Sequence, residues 1–139
     1  MSYWKLFYHF VWTTRDREPL IQPTFASEIY QVIASKATQL GAIVHAVGGT
    51  EDRIHLAASV PPSLALSQFV AQVKGNSSHF ANHKLILADT FAWQAEYGVL
   101  PFDGKQLARV VSYIQGQQSH HARGSTIPVL ERSLSEDQT

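Results

Sequence analysis

A β-hairpin is predicted in the middle of the chain by residues 42–60, A-I-V-H-A-V-G-G-T-E-D-R-I-H-L-A-A-S-V. Residues 42–48 and 54–60 are mostly apolar, whereas the segment between them, G-G-T-E-D, has the composition of a tight turn. Because the strands of a hairpin run in opposite directions, the sheet that contains them is antiparallel at this point. The elements on either side then have to extend or cover that sheet.

Helices are predicted on both sides of the hairpin. Before it, apolar residues recur at helical spacing over 25–40, after Pro23 and before Gly41, which are residue types found at helix starts and stops. After it, the breaker P-P-S is followed by a second helical pattern over 66–83. Each helix has one apolar stripe, so each is expected to pack against the sheet.

Two more strands and a last helix complete the pattern. Residues 3–12 alternate between two faces, and residues 90–100 are extended and rich in aromatic side chains. Asp103 and Gln106 resemble a capping box at the start of a third helix. The order β-α-β-β-α-β-α predicts an α+β, ferredoxin-like antiparallel sheet with an added C-terminal helix carrying Tyr113. We expect helices on one face and a free opposite face for a ligand.

Composition limits the class of protein. The 139 residues predict one domain over 1–124 and an irregular tail over 125–139. With no cysteine, disulfides, thiolate metal sites and cysteine nucleophiles are excluded. Neither a membrane span nor a signal peptide is indicated, which favours the cytoplasm. The 11 basic and 11 acidic residues cancel, which counts modestly against nucleic acid, because its binders usually carry a basic excess.

The last helix holds the main candidates for chemistry. Tyr113 and Gln117 are four residues apart, so their side chains lie one turn apart on the same helical face. A phenol can attack an electrophile and an amide oxygen can hold a cation, and His55 of the hairpin is a possible partner ligand. This combination points to a nuclease-like transesterification on DNA. His120 and His121 are typical of a polar helix end.

Five segments carry recognisable motifs in order along the chain. They are Y-H-F-V-W-T-T-R (8–15), G-T-E-D-R-I-H-L (49–56), V-K-G-N-S-S-H-F (73–80), F-A-W-Q-A-E-Y-G (91–98) and V-V-S-Y-I-Q-G-Q-Q-S-H-H (110–121). Together they resemble the HUH single-tyrosine transposases of small bacterial insertion sequences (U is a hydrophobic residue). The resemblance includes the relatives associated with repetitive extragenic palindromes. Each segment alone is weak, whereas five in register are specific.

This resemblance implies a mechanism. In the family, a helix tyrosine attacks a phosphodiester of single-stranded DNA, forms a 5′-phosphotyrosine and frees a 3′-hydroxyl. Two strand histidines and a helix glutamine hold Mg²⁺ or Mn²⁺, and a homodimer recognises hairpins at the ends of the element. Transferred to this chain, Tyr113 is the nucleophile, and His55 and Gln117 are two of the three metal ligands. The first histidine is expected at position 53, which is Arg53.

Arg53 conflicts with that metal site. A guanidinium is permanently charged and has no lone pair to donate, so it repels a cation instead of binding one. Two interpretations stay open: Arg53 grips the scissile phosphate by a bidentate contact and partly replaces the metal, or the protein binds DNA without cutting it. In a third interpretation, His45 or His9 supplies the ligand from a neighbouring strand.

The second helix offers candidates for contacts to phosphates: Lys74, Asn76, Ser77 and Ser78. The same segment is equally explained as a helix with a weak point at its glycine. Arg109 lies one turn before the nucleophile on the same helical face, where it either neutralises phosphate or is an ordinary surface charge.

The sequence therefore predicts metal-assisted cleavage and rejoining of single-stranded or hairpin DNA by a transposase-like homodimer. One alternative is a catalytically impaired descendant that binds DNA as a regulator. Another is a ligand-binding or protein-interaction domain on the same ferredoxin-like frame. Zero net charge slightly favours the last alternative, and the five motifs in register oppose it.

Overall fold

The computed structural model of the protein describes residues 4–85, 87, 89–117 and 131. Its elements are β1 (Phe7–Thr13), α1 (Ala26–Gln39), β2 (Ile43–Thr50), β3 (Arg53–Ser59), α2 (Leu66–Lys84), β4 (Gly98–Phe102) and α3 (Leu107–Gln115). The strands form one sheet in the order β2-β3-β1-β4, and every neighbouring pair is antiparallel. The predicted α+β, ferredoxin-like fold with a C-terminal helix carrying Tyr113 is confirmed.

The fourth strand begins later than the aromatic pattern predicts. Only Gly98–Phe102 pairs with β1 as a strand. The preceding segment is held by side chains instead: the amide of Asn82 donates to the Phe91 carbonyl at 2.9 Å, and its oxygen accepts from the Phe91 N–H at 2.8 Å. Trp93 makes one isolated bridge to Thr14. These contacts bind an irregular segment to α2 and to the end of β1.

The main core lies between one face of the sheet and the helices α1 and α2. Strand residues point alternately to the two faces, and on this face Phe10, Trp12, Ile54 and Leu56 are fully buried. Burial of each such side chain contributes roughly 1.5–3 kcal/mol before the cost of ordering the chain is counted. This face therefore holds the sheet and the two long helices together.

On the opposite face of the sheet, α3 covers β2 and β3, so the prediction that this whole face is free is wrong. Val110 and Ile114 of this strongly amphipathic helix pack on Ala46 and Ala57. At Gly48 the helix comes so close that an added Cβ would lie 2.6 Å from the Ile114 carbonyl oxygen. The small residues of β2 and β3 let α3 approach the sheet closely. The apolar stripe of the helix is buried against them.

Two predictions concern residues that the structure does not describe. The helix end at His120 and His121 and the tail over 125–139 lie outside the described residues, with the exception of Glu131. Among the residues that are described, no helix is both long enough and apolar enough to cross a lipid bilayer.

Candidate active site

The site lies where α3 packs across β2 and β3. Arg53 and His55 are two residues apart on β3, so both point to the face that α3 covers. Tyr113 of α3 packs against this part of β3, and its ring contacts the His55 ring edge-on with centroids 5.9 Å apart. All three side chains are buried. The structure therefore brings the predicted nucleophile, the predicted ligand and the unexpected cation together within one protomer.

A carboxylate that the sequence interpretation missed completes the cluster. Glu131 is 7% exposed. Its Oε1 accepts hydrogen bonds from Arg53 Nη1 at 3.1 Å and from His55 Nε2 at 2.9 Å. Its Oε2 accepts the hydroxyl proton of Tyr113 in a hydrogen bond. The only local sign in the sequence was the short apolar run I-P-V-L in front of it, in an otherwise polar tail.

Arg53 is fixed between two acids. Its Nε donates to Asp52 Oδ1 at 3.2 Å, and its Nη1 donates to Glu131. Burial acts to lower the pKa of Arg53, but the charges and hydrogen bonds of Asp52 and Glu131 outweigh it and raise that pKa above its ordinary value. The guanidinium is therefore a permanent, oriented cation that shares the Glu131 carboxylate with the phenol of Tyr113.

His9 supports His55 from the neighbouring strand. Its Nε2 lies 2.9 Å from His55 Nδ1, and the two rings stack with centroids 5.1 Å apart. Burial, with a smaller contribution from His55, lowers the pKa of His9 to about 3, so this ring is neutral. A neutral His55 that donates from Nε2 to the carboxylate accepts a hydrogen bond from His9 Nε2 at Nδ1, so the hydrogen-bond network fixes both tautomers.

The family resemblance implies three metal ligands, and the residues at the three positions do not form that set together. One feature favours it: the Gln117 side-chain oxygen is buried and has no hydrogen-bond partner among the described residues. Two features oppose it, since position 53 is a cation and His55 Nε2 is engaged with Glu131. The described part of the chain contains no group of three or more histidine, cysteine or acidic residues placed to hold an ion.

The interpretation that a neighbouring strand supplies the missing ligand gains little from the structure. His45 Nε2 lies 2.8 Å from Ser59 Oγ, at the end of β3 opposite Arg53. His9 does reach the site, but it contacts His55 Nδ1 and not Nε2, the nitrogen that is bonded to Glu131. His9 thus supports a site residue without lying beside it as a second ligand.

The predicted phosphate contacts of α2 are divided between packing and surface. Ser77 is fully buried, donates to the Val73 carbonyl at 2.8 Å and accepts from Trp93 Nε1 at 3.0 Å, so its hydroxyl serves the fold. Ser78 is half-buried and bonds the Gly75 carbonyl at 3.2 Å. Asn76 is exposed and lines a groove between α1 and α2.

Lys74 reaches the segment before β4. Its ammonium group donates to the carbonyls of Gln94 and Glu96. Burial lowers its pKa to about 8, against a smaller opposing effect of the Glu96 charge. With Ser78 and Trp93 it lines an open cleft of about 470 Å³. Arg109 is exposed on α3, one turn before the nucleophile.

Comparison with known proteins gives the family. Residues 2–117 match the model of the family described as IS200-like transposases. The ISDra2 transposase TnpA of Deinococcus radiodurans is 25% identical over 119 residues, which cover 82% of this chain and 85% of that protein.

Two solved structures share the fold. A crystal structure described as a transposase from Deinococcus radiodurans R1 has a TM-score of 0.62 at 24% identity and covers 84% of this chain and 95% of its own. A REP-associated tyrosine transposase bound to a REP hairpin has a TM-score of 0.63 at 16% identity, covering 91% of this chain and 76% of its own. Because the family model spans most of the sequence, the chain belongs to the family of IS200-like transposases.

Proposed function

We propose that the protein cuts and rejoins single-stranded or hairpin DNA, with Tyr113 as the nucleophile and a 5′-phosphotyrosine as the intermediate. One observation carries the proposal: Arg53, His55 and Tyr113 converge on a single carboxylate, which places a fixed cation, an imidazole and an acid around the predicted nucleophile. A phosphodiester is an oxyanion that gains charge on the way to its transition state. The covalent link keeps the energy of the broken bond for rejoining.

Arg53 serves in this proposal as the phosphate clamp. A guanidinium carries five N–H donors in a planar fork, which suits two oxygens of one phosphate. It is buried, it is bonded to the same carboxylate as Tyr113, and it is held by Asp52, so it does not have to be ordered when DNA arrives. Part of the charge neutralisation expected from a metal ion is thereby supplied by the protein itself.

His55 and Gln117 are proposed as residual ligands for Mg²⁺ or Mn²⁺. Such an ion would stabilise negative charge on the phosphate when bound. We expect weak binding, since loss of a ligand costs at least as much as the 10 to 100-fold typical of lost supporting contacts. The orphaned Gln117 oxygen supports the proposal, and the bond between His55 and Glu131 opposes it.

The proposed DNA surface includes both sides of α2 and the outer face of α3. Lys74 and Ser78 line the cleft beside Trp93, Asn76 is exposed in the next groove, and Arg109 is exposed near the site. Ser77 stays in the proposal only if its internal hydrogen bonds open. The relative solved with a REP hairpin supports hairpin DNA as the partner. Homodimerisation is proposed from the family resemblance.

A second candidate, a DNA-binding regulator that does not cut, is favoured by one observation. Glu131 is bonded to both Arg53 and Tyr113, and a carboxylate that blocked both groups would repel an incoming phosphate. In that case, the family fold would bind DNA through its surface while its own carboxylate blocks the chemistry.

One assay separates these candidates. The full chain is incubated with a hairpin-bearing single-stranded oligonucleotide, with Mn²⁺, with Mg²⁺ or with a chelator, and covalent adducts are separated on denaturing gels. Cleavage predicts an adduct that Tyr113→Phe abolishes and that Tyr30→Phe, a matched change on α1, leaves intact. Binding without an adduct supports the regulator. No binding even at low salt, where phosphate contacts are strongest, supports an interaction domain instead.

A further inference from the structure

Neither the family motifs nor the proposed cleavage assigns a task to Glu131. It is buried, it is an acid, and it contacts the predicted nucleophile directly. Burying a carboxylate is costly unless it is paired, and here Arg53 supplies the pairing charge. A buried acid bonded to a nucleophilic hydroxyl is an arrangement with chemical consequences.

The two carboxylate oxygens have different surroundings. Oε1 receives two donors, from Arg53 at 3.1 Å and from His55 at 2.9 Å. Oε2 receives the hydroxyl of Tyr113. The carboxylate is thus held in place through one oxygen and presents the other to the phenol. An activated nucleophile typically shows this pattern, in which a base within hydrogen-bond reach is itself oriented by a third group.

We propose that Glu131 is the general base that removes the phenolic proton of Tyr113 during attack on DNA, and that Arg53 and His55 position it. The inference rests on the proposed cleavage and adds a catalytic residue to it. It also explains Arg53, because a cation at position 53 orients and neutralises a carboxylate that a histidine at this position could not hold as firmly.

A base is needed because a phenol is a poor nucleophile at neutral pH. With a reference pKa of about 10, roughly one tyrosine in a thousand is ionised at pH 7. A carboxylate of reference pKa about 4.3 cannot take the proton beforehand, since the gap is roughly six pKa units. As the bond to phosphorus forms, the phenolic oxygen loses electron density and its proton becomes much more acidic. The transfer therefore occurs in the transition state.

The step balances without any further reagent. The bond between Tyr113 Oη and phosphorus forms while the bond between phosphorus and the 3′ oxygen breaks, and its electron pair stays on that oxygen. The phenolic proton passes to Glu131 Oε2. Solvent protonates the leaving 3′ oxygen to a hydroxyl, and Glu131 later returns its proton to solvent. Rejoining is the same step in reverse.

The test is Glu131→Gln in the full chain, assayed for adduct formation on the hairpin-bearing oligonucleotide. Glutamine keeps the size and one acceptor oxygen but cannot take a proton, so we expect the rate to fall by about 10² to 10⁴-fold while DNA binding is retained. The pH profile is the second readout. As pH rises toward the pKa of the phenol, the rate of adduct formation by Glu131→Gln should increase by about tenfold per pH unit, because only pre-formed phenolate then reacts.

Two control variants keep the test decisive. Glu28→Gln removes an exposed acid of α1 and should change neither rate nor profile. Glu131→Asp keeps a carboxylate at a shorter reach, so a slower enzyme with the wild-type pH profile is expected. Circular dichroism shows whether Glu131→Gln folds. If it does not, the pH dependence of the Glu131→Asp rate decides: a rise of about tenfold per pH unit, as for pre-formed phenolate, contradicts the proposal.

Three results would overturn the inference. An unchanged rate and profile in Glu131→Gln would show that the carboxylate is not the base. A faster rate with tighter DNA binding would show that Glu131 competes with the phosphate. A wild-type chain without any adduct would remove the proposed cleavage together with the inference, whereas the first two results leave cleavage standing.

Discussion

Arg53 determines the electrostatics of the site at the scale of single residues. It is a buried cation between Asp52 and Glu131, at the position where the family resemblance places a neutral histidine. Its charge opposes a second cation beside it, since two unit charges 4 Å apart interact by about 4 kcal/mol near a protein surface, and Asp52 and Glu131 offset part of that repulsion. The identity of residue 53 should therefore decide how strongly the chemistry depends on metal.

Arg53→His is expected to increase the dependence of adduct formation on metal. The substitution removes the repelling charge and adds a nitrogen ligand beside His55, so the ratio of rates with Mn²⁺ and with chelator should rise by about 10-fold or more. Arg53→Lys is the matched control, because it keeps the charge but loses the planar fork. An equal Mn²⁺ dependence in the wild type and in Arg53→His would contradict the electrostatic account.

Residues of the site differ in how far the sequence could predict them. Helical spacing singled out Tyr113 and Gln117, and the resemblance to the family motifs assigned roles to both of them and to His55. Glu131 lies 76 residues from His55 and 78 from Arg53, and no local periodicity relates such positions. His9 was visible only as one of two histidines on neighbouring strands, and which one reaches the site depends on strand register.

At the scale of elements, the seat of α3 on the sheet positions Tyr113. The helix is held by a small cluster, in which Val110 and Ile114 meet Ala46 and Ala57. The close approach at Gly48 leaves no room for a side chain, since a Cβ there would lie 2.6 Å from the Ile114 carbonyl oxygen. A displacement of this helix moves the nucleophile directly, because Tyr113 precedes Ile114 on it.

Gly48→Ala should therefore harm both stability and cleavage. Pushing the backbone of α3 away from β2 is expected to cost about 1–3 kcal/mol, typical of overpacking, and to slow adduct formation through misplacement of the phenol. Gly75→Ala provides a matched contrast, because nothing lies within 4 Å of a Cβ at that helical position, and a gain of about 0.5–1 kcal/mol is expected. Urea unfolding measures the stability of both variants. Equal changes in the free energy of unfolding for Gly48→Ala and Gly75→Ala would contradict the packing argument.

The elements themselves followed largely from pattern. The hairpin, both long helices and the order of strands needed only periodicity, breakers and the split βαβ rule. The free face of the sheet was predicted wrongly because an amphipathic helix at the end of the chain has to cover something. The late start of β4 at Gly98 was equally hidden, since side-chain bonds such as those of Asn82 to Phe91 override strand propensity.

At the scale of the whole molecule, the net charge of zero does not show where individual cations lie. Net charge is zero over 139 residues, yet Arg53 is buried at the site and Lys74 lines a cleft along α2. Overall neutrality gives little long-range attraction for DNA. Recognition in the proposed function thus depends on a few placed cations and on the shape of the site, more than on a basic surface.

The whole molecule also decides whether each protomer is complete. Tyr113, His55, Arg53 and Glu131 contact one another within one chain, so a proposed homodimer should contain two independent sites. Mixing Tyr113→Phe protomers with His55→Ala protomers, whose changes lie on the helix and on the sheet, is then expected to form no more adduct than the two variants measured separately. If a site instead took its helix from the partner, half of the dimers would be mixed and each would regain one intact site. Recovery of about a quarter of the wild-type adduct would therefore contradict a site built within one protomer.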